Sequence, residues 1–91
     1  MDENGTGKLQ IFSIEERGGS VAVCVVRCVG GVARVGQRFD VGSAGEVSHV
    51  TLDRIHRYGQ QVDFVDPPHN AKVHLSGEGV PLLTEGIVIG G

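Results

Sequence analysis

This chain predicts a small all-β domain, and three observations predict it. Val occurs 15 times in 91 residues while Ala occurs four times; branched side chains fit a pleated surface better than a helix. Gly also occurs 15 times, and its residues fall between apolar runs as turns. The runs themselves alternate apolar and polar residues with period two, the mark of a strand with one covered face. The regular spacing of six or seven such runs predicts a closed antiparallel barrel of Greek-key type.

The elements follow in order. Residues 1–8 read as a polar leader, and residues 9–91 as a single barrel domain. LQIFSIEE (9–16) alternates and predicts a strand, closed by a turn at Gly18-Gly19. Residues 20–29 predict the strongest strand. Val21, Val23 and Val25 lie on one face, with Ala22, Cys24, Val26 and Cys28 on the other, which suggests cover on both faces. Gly30-Gly31 turns the chain toward a short strand near 38–41, and residues 42–45 predict a further turn. EVSHVTLDRIHRY (46–58) reads as a long strand, with a change of parity between Val47 and Val50 that suggests a bulge. QQVDFV (60–65) reads as one strand after Gly59. Asp66-Pro67-Pro68-His69 breaks the pattern before a strand over 70–77. Residues 78–86 predict a loop with one helical turn around Leu82 and Leu83, and GIVIGG supplies the closing strand.

Composition bounds function. Charged residues at 21% and apolar residues at 40% exclude a disordered chain. No run of 18 apolar residues is present, so no transmembrane helix is expected. MDENGTGKLQ is polar and acidic, unlike a signal peptide, and a cytoplasmic location is expected. The net charge of −3 argues against a surface built to neutralise many phosphates, although local basic clusters remain open. Cys24 and Cys28 on one strand stand about 13 Å apart at ~3.3 Å per residue, too far for a disulfide or a shared metal. They read as small buried hydrophobes. The histidines at 49, 56, 69 and 74 have no metal-ligand spacing, and no catalytic nucleophile–base pattern is present, so neither a metal, a cofactor nor an enzyme activity is expected.

In this layout the chain resembles the second domain of translational GTPases, the β-barrel of elongation factor Tu and its relatives. Phe12-Ser13-Ile14 followed by Gly19-Ser20-Val21 is similar to that family's opening strand, turn and Val-rich strand. Val32 to Gln37, with Arg34 and Gly36, is similar to its next turn. Asn70, Leu75 and Gly77 keep the spacing of its late strand, and Glu85-Gly86-Ile87-Val88-Ile89 its closing one. Pro67-Pro68-His69 stands where the family usually has Ala-Gly-Asp. The resemblance implies a fold and contact with tRNA or ribosomal RNA, while the apolar residues on both faces of strand 20–28 call for outer cover by a protein partner or a second copy. With no long apolar run, no membrane partner is expected, and the length leaves no room for the GTP-hydrolysing domain. Gly5-Thr6-Gly7-Lys8 superficially matches the end of a phosphate-binding loop, but Leu9 follows where Ser or Thr is required.

Candidate residues divide into two groups. The resemblance implies a pocket at Phe12 and Asn70, where an aromatic face stacks and an amide hydrogen-bonds. The plainer alternative makes Phe12 a core side chain and Asn70 a turn residue. Arg54, His56 and Arg57 form the densest basic stretch and are the candidate phosphate-binding patch; strand alternation puts Arg54 and His56 on one face and Arg57 on the other. The alternative there is a solvated strand end. Gly90-Gly91 raises a different reading, a ubiquitin-like sulfur carrier or modifier whose slim tail is activated at its carboxylate. That fold needs a central helix, and no amphipathic helical pattern of about ten residues is present.

Overall fold

The computed structural model describes residues 6–43 and 46–91. Nine strands run in chain order: β1 Lys8–Arg17, β2 Val21–Gly30, β3 Ala33–Arg34, β4 Arg38–Ser43, β5 Glu46–Arg57, β6 Gln60–Val62, β7 Phe64–Val65, β8 Asn70–Ser76 and β9 Val88–Gly90. Residues 1–5 of the expected 1–8 leader and the tip of the 42–45 turn, at 44–45, lie outside the described residues; Lys8, read as the end of the leader, already belongs to β1. The main sheet runs β4-β9-β1-β2-β8-β5-β6, and a β4–β5 pairing returns it on itself. Six strands thus close an antiparallel barrel, with β6 as an extra strand beside β5. Closure removes the exposed sheet edges that a domain this small would otherwise have to protect.

The strands form where branched residues alternate, and the barrel interior takes one parity from each. Leu9 and Ile11 of β1, Phe39 of β4, Leu52 and Ile55 of β5, and Leu75 of β8 are all fully buried. Burying a side chain of this size contributes about 1.5–3 kcal/mol, so this shared interior is the main source of stability. A 3₁₀ turn at Val80–Leu82 and the following Leu83 cover one end. Arg17 holds this plug in place: its guanidinium donates to the carbonyls of Val80 (3.3 Å) and Leu83 (2.7 Å). At the other end Gly7 is buried, and its backbone exchanges two hydrogen bonds with the Gln37 amide, at 3.1 and 3.0 Å.

Three local expectations are corrected. First, β2 is not covered on both faces within the chain. Ala22, Cys24, Val26 and Cys28 are buried, but Val21 is 56% exposed and Val23 and Val25 are only half-buried. A barrel strand has one interior face, and nothing else in the described residues packs over the other. Second, the parity break of β5 lies between Leu52 and Arg54, where the β5–β8 register shifts, and not between 47 and 50. Val47 simply points outward, at 61% exposure, while Leu52 and Ile55 both reach the core across the bulge. Third, residues 60–65 form two strands. β6 pairs with β5, then the chain leaves the barrel and β7 pairs with β3, Ala33 opposite Val65 and Arg34 opposite Phe64.

Gly77 is required by space as well as by conformation. Gly77, just past β8, has φ 134°, and a Cβ there would stand 2.6 Å from the His49 carbonyl oxygen. Its backbone N–H donates to Ser20 at 2.9 Å, which ties the end of β8 to the β1–β2 turn.

Candidate functional site

The feature with the richest chemistry is a surface groove of about 630 Å³ where the ends of β2, β8 and β5 meet. Val25 and Arg27 come from β2, and Asn70, Ala71 and Lys72 from β8. His56 and Arg57 close β5, Tyr58 and Gly59 form the turn into β6, and Pro68 and His69 supply the opposite rim.

Local sequence explains each wall. Arg57 pairs with Gln60, so Tyr58-Gly59 is a two-residue hairpin turn. Both residues have positive φ, 54° and 77°, the geometry that matches strand twist in such turns. The turn thrusts Tyr58 outward, where it is 92% exposed, with the Arg57 guanidinium 5.6 Å from its ring centroid. The 66–69 segment is held by a dense set of bonds. His69 N–H donates to the Asp66 carbonyl (2.9 Å), Cys28 N–H to the His69 carbonyl (2.9 Å), and Arg27 Nε to the Pro68 carbonyl (3.2 Å). His69 Nδ1 also lies 3.1 Å from Asp66 Oδ1. The Pro67–Pro68 peptide is cis.

The groove concentrates positive charge on a chain whose net charge is −3. Arg27, Arg57 and Lys72 contribute permanent cations, with His56 and His69 beside them. Lys72 is paired with Glu15 at 3.1 Å across the face of β2, and Asp66 with His69, so Arg27 and Arg57 carry most of the uncompensated charge. His56 Nε2 and Arg57 Nε are shielded from solvent and have no hydrogen-bond partner among the described residues. Leaving such a group unsatisfied costs about 1–3 kcal/mol.

The structure joins parts of both sequence-derived candidates. Asn70 opens β8 opposite Arg27, and it shares the groove with His56 and Arg57. Phe12 does not line the groove. It sits on β1 at a register shift opposite Val25 and Val26, and at 74% exposure it is no core residue. Arg54 is also outside the groove; it pairs with His74 and lines a separate depression with Asp53 and Glu16. Arg57 and His56 converge despite opposite strand parity because the strand ends there and the hairpin turns. Arg27, Lys72 and Tyr58 were missed by the linear reading. Arg27 and Lys72 are isolated in the sequence and adjoin only through the β2–β8 ladder, although Tyr58 before a glycine was a legible turn signal.

The two thiols offer no nucleophile. Cys24 and Cys28 are free and fully buried. Burial pushes the Cys24 thiol up to about 11 and also raises that of Cys28, whose Sγ lies near the Gly30 and Gly31 carbonyls at 3.4 and 3.6 Å. Among the described residues no group of three or more His, Cys, Asp or Glu is placed to hold a metal ion, and no helix is long and apolar enough to cross a membrane. At the C-terminal strand Gly90 is paired with both Lys8 and Asp40.

No protein-family model matches the chain, and no curated protein matches its sequence. Solved structures do match its fold. The translation elongation factor SelB of Methanococcus maripaludis, in its apo form, superposes with a TM-score of 0.76 at 13% identity, over 93% of this chain. The same factor in complex with the GTP analogue GppNHp gives the same values. The chain spans 18% of the length of that factor. Closed order, strand pairing and this superposition together give the chain the fold of the translation-factor domain-2 β-barrel.

Proposed function

We propose that the chain is a non-enzymatic binding module of translation-factor type, and that its β2–β8–β5 groove takes the single-stranded end of an RNA, with the acceptor end of tRNA as the first candidate. The observation that carries this reading is the convergence of Arg27, Arg57 and Asn70 beside the exposed ring of Tyr58. Each group has a task. The guanidiniums offer planar, charged donors to phosphate oxygens. Tyr58 presents a stacking surface for a base, worth about 1–3 kcal/mol in single-strand binding. The Asn70 amide both donates and accepts, so it can read a polar group on the sugar, base or esterified amino acid.

Filter binding with aminoacylated and deacylated tRNA tests the reading. Asn70→Ala is expected to weaken binding and to reduce any preference between the two forms. Phe12→Ala is expected to leave binding unchanged, because Phe12 does not line the groove. Unaltered binding by Asn70→Ala combined with Arg57→Ala would remove the groove from consideration.

A further inference from the structure

The outer face of β2 carries a row of valines that no other strand among the described residues packs over. Val21 is 56% exposed, and Val23 and Val25 are half-buried. The two strands beside it differ in charge. On the β1 side Glu16 pairs with Val23, and Glu15 stands at the neighbouring register shift. On the β8 side His74 pairs with Val23, and Lys72 with Val25. Glu15 Oε1 and Lys72 Nζ meet at 3.1 Å, so an acid-to-base bridge spans the strand at Val25. The face is therefore an apolar line with an acidic flank on one side and a basic flank on the other.

We infer that this face docks against the same face of a second copy of the chain, about a two-fold axis running along β2. Charge complementarity selects both the occupant and the axis. Rotation about a line along β2 exchanges the flanks, so Glu15 and Glu16 of one copy meet Lys72 and His74 of the other. The two Glu15–Lys72 bridges then stack head to tail, each carboxylate over the other copy's ammonium. An axis across β2 would instead set acid on acid and base on base. The valine rows meet in the centre, at the about 10 Å spacing of stacked sheets. A two-fold contact is self-complementary and closes at the dimer. The face shares Val25 and Lys72 with the groove, but the inference does not rest on the groove reading, and its test contains no RNA.

Sedimentation equilibrium of the intact chain over a wide concentration range is expected to show a monomer–dimer equilibrium that weakens with salt. Val23→Glu is expected to give a monomer with an unchanged far-UV spectrum; Val21→Glu, at a more exposed site, gives a second variant should the first fail to fold. The axis is tested with the double exchange Glu15→Lys with Lys72→Glu. That chain keeps its internal bridge and is expected to self-associate as the unaltered chain does. The exchange leaves the mass unchanged, so the unaltered chain is labelled with heavy nitrogen; in a mixture of the two, native mass spectrometry is then expected to find homodimers in excess over the statistical share. Monomer at all concentrations, or dimers that persist in both valine variants, would overturn the inference. An excess of mixed dimers would overturn the axis.

Discussion

Arg27 and Asn70 face each other across the β2–β8 ladder, and Arg27 Nε reaches on to the Pro68 carbonyl at 3.2 Å. One side chain thus joins the groove's floor to its rim. Arg27→Lys keeps the charge but removes the Nε–H, and it is expected to weaken RNA binding less than Arg27→Ala does. The same comparison in a thermal melt separates anchoring from charge: both variants lose the Pro68 bond, so both are expected to melt lower, by a similar margin.

Tyr58 separates stacking from stability. Its ring is almost wholly exposed, and its backbone has φ 54°, which costs an L-residue about 1 kcal/mol. Tyr58→Gly removes both the ring and that strain. It is expected to hold or raise the melting temperature while weakening RNA binding by about 1–3 kcal/mol. Tyr58→Phe is expected to bind as the unaltered chain does.

Gly77 tests the fold. With φ 134° and the His49 carbonyl 2.6 Å from any added Cβ, Gly77→Ala meets both strain and collision. Urea unfolding is expected to show a loss of about 2 kcal/mol or more. Gly19→Ala, where no atom lies within 4 Å of the added Cβ, is the control and is expected to change stability by less than about 0.5 kcal/mol.

The buried thiols set an alkaline limit. Burial raises the Cys24 thiol from 9.0 to about 11. Between those values the folded chain keeps a proton that the unfolded chain has lost, so stability falls as pH rises through this window. Cys24→Ala is expected to flatten that fall in urea titrations at pH 9 and above. Iodoacetamide at pH 8 is expected to modify neither cysteine in the folded chain and both in denaturant.

Most of the barrel was legible because its interior parity is written in single strands. Leu9 and Ile11, Ala22 to Cys28, and Val73 and Leu75 each alternate without help from tertiary structure. What misled was parity across an irregularity. Val47, Leu52 and Ile55 do not share one phase, and the sequence does not say whether an out-of-phase residue marks a bulge or an exposed valine. The split of residues 60–65 was hidden for a related reason: β7 owes its separation to pairing with the two-residue β3, a contact distant in sequence. The groove was legible only in fragments. His56, Arg57 and Asn70 stood out locally, whereas Arg27 and Lys72 joined them through strand pairing that no local pattern encodes.

The most direct test of the groove compares salt dependence at two arginines. Filter binding of labelled tRNA across a salt series is to be run on the unaltered chain, on Arg57→Glu within the groove, and on Arg38→Glu on β4, outside it. The groove reading predicts that Arg57→Glu weakens binding and lowers the log–log salt slope by about 0.7, the value for one single-strand phosphate contact. Arg38→Glu is expected to leave affinity and slope unchanged. No binding by the unaltered chain at low salt, or an equal loss in the two variants, would contradict it.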